Sequence, residues 1–232
     1  SAYIHAGPFP TQHAAHRDLP SEFNPRNFLT PTSIAKKLLE KYYSLSSTVI
    51  GTHKLFGINN NKNYIKINKD KSSKKLLLLP QGTYKEVLDL CRIAFCSNLF
   101  DTEIIIRLHP ALINNNKIIN YIRSLQKNSV RPDLITLSKR SLEEDLMESS
   151  YFLYRGSTSA VEAAFYGLTP IYCKSSDPFN SQLNSLDGIN LPKCLYISRE
   201  SELEEILVKS FKFDISDLIK NIYGTPITFA YN

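Results

Sequence analysis

The chain has 232 residues, 42% hydrophobic and 22% charged, a balance that excludes wholesale disorder and allows a core without disulfides or metals. Twenty-eight Lys and Arg against 22 Asp and Glu leave a formal charge of +6. That excess suits an anionic ligand, an acidic membrane surface or nucleic acid without separating them. The longest apolar run, residues 76–80, lies behind Lys74 and Lys75 and falls far short of the roughly 20 residues that span a bilayer as a helix.

Residues 1–10 lack the basic and apolar regions of a signal peptide, and the first residue is not Met. The expectation is a processed protein or an excerpt of a longer one. Basic residues are dispersed, and the densest run (Lys69, Lys71, Lys74, Lys75) includes Asp70. No recognised module or basic–aromatic stripe appears, so no nucleic-acid partner is expected. Cys91, Cys96, Cys173 and Cys194 form no CxxC. They are expected to be reduced, mostly buried thiols of a cytosolic protein, without a metal.

Pro8, Pro10, Pro20, Pro25 and Pro31 break any long helix in the first 31 residues. His5, His13, His16, Arg17, Asp18 and Glu22 gather there. The His13-x-x-His16 spacing lacks the HExxH pattern, so the stretch reads as a loop or part of a substrate cleft rather than a metal site. The spacing of Ile34, Leu38, Leu39 and Tyr42 predicts a helix over 32–43, and residues 48–50 a short strand ending at Gly51. Residues 57–73 read as a polar linker.

Beyond residue 74 the pattern becomes regular. The run 76–79 reads as a buried parallel strand ending in Pro-Gln-Gly, and 84–98 as a helix. A strand follows over 103–108, a helix over 117–127 and a strand over 134–137. Residues 141–148 form a short acidic helix, with Ser141 and Glu144 placed as a capping box. Then come a strand at 151–154, a tight helix at 158–166, strands at 169–173 and 195–197, and a helix over 201–211. This alternation predicts an α/β fold: a Rossmann-like open parallel sheet with helices on both faces. Ligands of such sheets bind beyond the carboxyl ends of the strands.

Three strand ends carry candidate chemistry. In YRGSTSAVEAAFYG, Gly156 permits a tight turn, and Ser157, Thr158 and Ser159 bring hydroxyls to a helix N-terminus. Arg155 offers a charge-assisted contact to phosphate, and Glu162 could accept hydrogen bonds from a ribose diol. The plain alternative makes Ser157 a helix cap and Glu162 a solvated first-turn acid. In IIIRLHP, Arg107, His109 and Pro110 follow a buried strand. His109 could donate to a phosphate or act as an acid on a leaving group, and Pro110 would fix the turn. A structural histidine is the alternative. In LPQGT, Gln81, Gly82 and Thr83 form a further strand–turn–helix with Thr83 as the expected cap. Walker, GxGxxG and GxSxG motifs are absent.

Strand-RLHP, a helical segment, SLEEDL and YRGSTSAVEAAFYGLTPIY in succession resemble the carboxyl-terminal half of GT-B glycosyltransferases. The similarity is greatest to bacterial surface-carbohydrate and capsule (lipopolysaccharide-type) transferases with an HP motif, including those using CMP-activated Kdo or sialic acid. It covers about residues 74–210. Residues 1–57 resemble the tail of the amino-terminal domain and the crossover. The resemblance implies an acceptor-side tail and linker over 1–73, a nucleotide-sugar-binding domain over 74–212, and a terminal tail over 213–232 packing back on the N-terminal segment. It implies His109 as the catalytic residue at the donor phosphate. Ser157, Thr158 and Ser159 would bind phosphate, Glu162 the ribose, and Arg107 and Arg155 would balance charge. Gln81, Gly82, Thr83, Pro110 and Gly156 would complete the donor site.

The function implied is transfer of a sugar from a nucleotide-activated donor, CMP-linked in the nearest resemblance, to a surface polysaccharide or lipid-linked glycan. No cofactor or catalytic metal is implied, and the general base would lie in an amino-terminal half largely absent here. The expected location is the cytoplasm, with peripheral association at the inner membrane. Two other readings stay open: a sugar-nucleotide epimerase of GT-B fold, and a non-catalytic nucleotide-sugar-binding module.

Overall fold

The computed structural model describes residues 2–4, 27–34, 36–37, 40, 46–50, 74–175, 184, 186 and 189–223. The histidine-rich segment at residues 5–22 and the predicted linker at 57–73 lie outside the described residues. Three short parallel strands, β1 (Ala2–Ile4), β2 (Asn27–Thr30) and β3 (Ser47–Val49), form one small sheet in that order. Residues 33, 34, 36, 37 and 40 are helical, inside the helix predicted over 32–43.

The larger sheet contains β4 (Lys74–Leu79), β5 (Thr102–Ile106), β6 (Ile135–Leu137), β7 (Tyr151–Tyr154), β8 (Thr169–Cys173) and β9 (Tyr196–Ile197). Its order is β6-β5-β4-β7-β8-β9, and every pair is parallel. The helices are α1 (Tyr84–Cys96), α2 (Asn116–Asn128), α3 (Leu142–Glu148), α4 (Ser159–Phe165), α5 (Glu200–Val208) and α6 (Ser216–Tyr223). In a parallel sheet each return needs a crossover, and α1, α2, α3 and α4 lie in the connections β4–β5, β5–β6, β6–β7 and β7–β8.

Strand residues alternate strictly between two cores. Leu76, Leu78, Ile104, Ile106, Tyr151 and Leu153 point to one face, where Val87 and Leu90 of α1, Ile118 and Ile122 of α2 and Leu203 of α5 cover them. Leu77, Leu79, Ile105, Phe152, Tyr154 and Tyr172 point to the other, under Leu146 of α3, the alanines of α4 and Ile219 of α6. A strand buried on both faces must be apolar at consecutive positions, which explains LLLL and YFLY. Ala160, Ala163 and Ala164 are fully buried, so their small side chains let α4 lie close to the sheet. The α4 helix ends in a Schellman motif, with Leu168 N–H on Ala163 O and Gly167 N–H on Ala164 O. Gly167 takes φ +77°, which a β-carbon would strain.

Several boundaries differ from the sequence expectation. Leu134 and Leu195 close 3-10 turns (Pro132–Leu134 and Lys193–Leu195), and the strands start one residue later. Proline at the head of each turn favours that geometry over extension. The α6 helix was not predicted. Ile215, Ile219 and Ile222 recur on one face and pack on the α4 side of the sheet, where Ile34 also packs. The cysteines divide evenly rather than being mostly buried: Cys91 and Cys173 are buried, Cys96 and Cys194 exposed, and all are free thiols.

Phe152 is fully buried in a central strand. Phe152→Ala is expected to lower the unfolding free energy by about 3–5 kcal/mol, measured by urea denaturation. Val208→Ala, at an exposed position, is expected to stay within about 0.5 kcal/mol of the parent.

Candidate functional site

β4 and β7 are neighbours whose following helices leave to opposite faces: α1 packs on one core and α4 on the other. That divergence makes the carboxyl ends of β4 and β7 the topological switch point of a doubly wound sheet, where ligands of such sheets bind in a crevice. Register places Leu79 beside Tyr154 and Leu78 beside Ile106. The loops that follow, residues 80–83, 107–110 and 155–158, therefore emerge along one edge. All three sequence-selected motifs meet there.

Gly82 and His109 touch. A β-carbon on Gly82 would stand 3.1 Å from His109 Nδ1, a tight contact that glycine avoids. His109 is exposed. Its Nδ1 accepts a hydrogen bond from Ala111 N–H at 3.2 Å and caps the 3-10 turn Pro110–Leu112. With Nδ1 accepting, the neutral ring carries its proton on Nε2, which becomes a hydrogen-bond donor. Pro110, first in that turn, fixes the backbone that carries the ring.

The two arginines, expected to balance phosphate charge, both have partners within the fold. Arg107 donates to the Asp145 carboxylate at 3.0 Å and to Arg140 O at 2.7 Å. Asp145, fully buried, also accepts from Ser138 Oγ and pairs with Arg140 Nε at 3.3 Å. Arg155 is 2% exposed. Its Nε donates to Cys173 O at 3.0 Å, one terminal nitrogen to Asp89 at 3.1 Å, and the other to Lys174 O at 3.3 Å. A buried guanidinium needs such partners. Both cations thus brace the fold, and neither is presented as a direct phosphate clamp.

In the loop after β7, Gly156 and Ser157 are buried, while Thr158, Ser159 and Glu162 are half-buried. The cap position of α4 is Thr158 rather than Ser157, and no side-chain cap bond forms there. Thr83 occupies the predicted cap position of α1, but its hydroxyl makes no cap bond.

The functional geometry missed by the sequence reading centres on Glu86. This residue is 2% exposed. One oxygen, Oε1, accepts from Gln81 N–H at 3.1 Å and from Gly156 N–H at 3.3 Å. It therefore joins the loops on either side of the switch point. Burial pushes its carboxyl above the ordinary 4.5, although both amides and the Arg155 charge pull the other way. The signal was a glutamate at the third position of α1, the spacing at which a carboxylate reaches back over its helix start. Nearby, burial pushes the Cys173 thiol up to about 11, so it packs as an unreactive group. Among the described residues, no three His, Cys, Asp or Glu side chains gather to hold a metal. No helix among them is long and apolar enough to cross a membrane.

Sheet order, crossovers and switch-point crevice define a Rossmann-like α/β domain of the GT-B type. No protein-family model and no curated protein sequence matches the chain. Solved structures do. One is a Listeria monocytogenes protein assigned as a UDP-N-acetylglucosamine 2-epimerase, with TM-score 0.54 and 15% identity over 86% of this chain and 56% of that one. Another is S. aureus MnaA solved with UDP, with TM-score 0.53 and 14% identity over 88% and 57%. The wall teichoic acid polymerase TagF aligns at TM-score 0.49 and 12% identity over 87% and 54%. The chain spans little more than half the length of these neighbours.

Two outcomes test this geometry. Gly82→Ala is expected to push the His109 ring by a few tenths of an ångström and weaken its bond to Ala111, read as a shifted Ala111 amide resonance. Glu86→Gln removes a carboxyl whose folded pKa lies above its unfolded value. The folded wild type holds that proton more tightly, so its stability falls as pH rises from about 4.5 through the folded pKa. The stability of Glu86→Gln relative to wild type should therefore increase over that window and level off above it, measured by urea denaturation at a series of pH values.

Proposed function

We propose that the crevice binds the nucleotide of an activated sugar, and that the chain is the donor-binding part of a glycosyltransferase. One observation carries this reading: three loops rich in amides, hydroxyls and one histidine converge at the switch point of a parallel sheet. His109 Nε2–H would donate to the donor phosphate or protonate the departing nucleotide. Gly156, Ser157, Thr158 and Ser159 would surround phosphate oxygens, with Glu162 at the ribose diol. Gln81, Gly82 and Thr83 would form the facing wall, and Pro110 would hold His109 in place. Arg107 and Arg155 would contribute through their field, since their bonds hold the fold together. Preorganised donors would stabilise charge on the leaving phosphate without a metal.

The acceptor is proposed to be a surface polysaccharide or lipid-linked glycan, which would place the protein in the cytoplasm at the inner membrane face. The small sheet β1–β3 would belong to the acceptor side. A CMP-linked donor follows the sequence resemblance.

A second reading is favoured by a specific finding. The neighbours aligning at TM-scores of 0.54 and 0.53 are an assigned UDP-N-acetylglucosamine 2-epimerase and a protein solved with UDP. A GT-B epimerase would use the same crevice for a UDP-sugar.

Calorimetric titration with CMP, CDP, UMP, UDP and GDP at fixed salt tests both. Selective binding of one nucleotide is expected. His109→Ala and Glu162→Ala should each weaken it about tenfold, the effect of losing one charge-assisted hydrogen bond, with no loss of fold by circular dichroism. Preference for cytidine nucleotides would support the transferase. Preference for UDP, with formation of the C2 epimer from a UDP-sugar, would support the epimerase. Unaltered binding in both variants would move the site elsewhere.

A further inference from the structure

We propose that Glu86 is a positioning residue for the ligand. Its carboxylate would hold the 80–83 and 155–158 loops at the separation the nucleotide requires. This rests on the nucleotide-binding reading above and goes beyond it, because Glu86 lies behind the crevice wall.

The argument begins with cost. Sinking a carboxylate to 2% exposure is unfavourable unless its bonds repay the lost hydration. A glutamate at the third position of a helix usually serves its own helix start, where it remains solvated. Glu86 instead gives one oxygen to two backbone amides that are 75 residues apart in sequence and adjacent in space, Gln81 N–H and Gly156 N–H. Without it, both donors would be left on inward-facing loop backbone.

The same helix face continues the tie. Asp89, one turn beyond Glu86, accepts from Arg155 at 3.1 Å. Arg155 then reaches the carboxyl end of β8 through Cys173 O at 3.0 Å and Lys174 O at 3.3 Å. One turn of α1 thus fastens the ends of β4, β7 and β8. The Gln81 amide is next to Gly82, and Gly82 stands against His109. A shift of the Glu86 bridge would therefore be transmitted to the histidine ring by contact. The raised carboxyl pKa agrees with this arrangement, since either protonation state keeps an oxygen facing the two amides.

The test uses the full chain and reads two quantities. Amide hydrogen exchange at Gln81 and Gly156 reports the bridge, and titration with the nucleotide that wild type binds best reports the site. In Glu86→Ala both amides are expected to lose protection, and affinity to fall about tenfold or more. Glu86→Gln retains Oε1 as acceptor and should keep both properties within about threefold of wild type. Glu86→Asp keeps the charge but is one methylene short, so it should behave like the alanine variant. It also serves as the informative variant if alanine does not fold. Unchanged exchange in the alanine and aspartate variants would overturn the bridge. Lost protection with unchanged affinity would overturn positioning and leave a merely structural tie. If wild type binds no nucleotide, the functional reading fails, and positioning with it, while exchange still reports whether the bridge exists.

Discussion

The crevice depends on the pairing of β4 with β5 on one side and β7 on the other. β4 is hydrogen-bonded along both edges and covered on both faces, and its last four residues are almost wholly buried. A strand so enclosed cannot slip by one residue without exchanging its two apolar faces. Its register therefore sets where Gln81, Arg107 and Arg155 leave the sheet. Because α1 and α4 then depart to opposite faces, the switch point is set by topology rather than by any single side chain.

Charged residues brace the switch point in a defined way. The buried partners are matched: Glu86 with two amides, Arg155 with Asp89 and two carbonyls, Asp145 with Arg107, Arg140 and Ser138. Removing one member of such a group leaves the other buried without compensation, which costs more than the pair contributes. The Arg107–Asp145 network fastens α3 to the end of β5. The Glu86–Asp89–Arg155 set fastens α1 to the ends of β4, β7 and β8. Both sets stand beside His109, an exposed ring, and the 156–159 loop.

A ring ladder runs across the strands beneath α4. Tyr154, Tyr172 and Tyr196 lie opposite one another on β7, β8 and β9, with centroids 5.6 and 5.5 Å apart in edge-to-face contact. Such pairs add to area burial. They tie β7, β8 and β9 together on the face that α4 covers.

Local patterns determined much of this protein. Consecutive apolar residues marked the parallel strands, helical spacing marked α1, α2, α4 and α5, and the Ser141–Glu144 capping box is present as read. Strand-end composition also marked the loops now seen to converge. What local patterns could not convey is which partner each polar group meets. Arg155 and Arg107 have the chemistry of phosphate ligands, yet their bonds turn inward, because acceptors distant in sequence reach them first. Glu86 drew no notice along the chain, because one of its partners is Gly156, a residue of another loop. Period and composition are properties of neighbouring residues and can be read along the chain. The pairing of charges across a switch point depends on strand order and crossover direction, and only tertiary structure decides those.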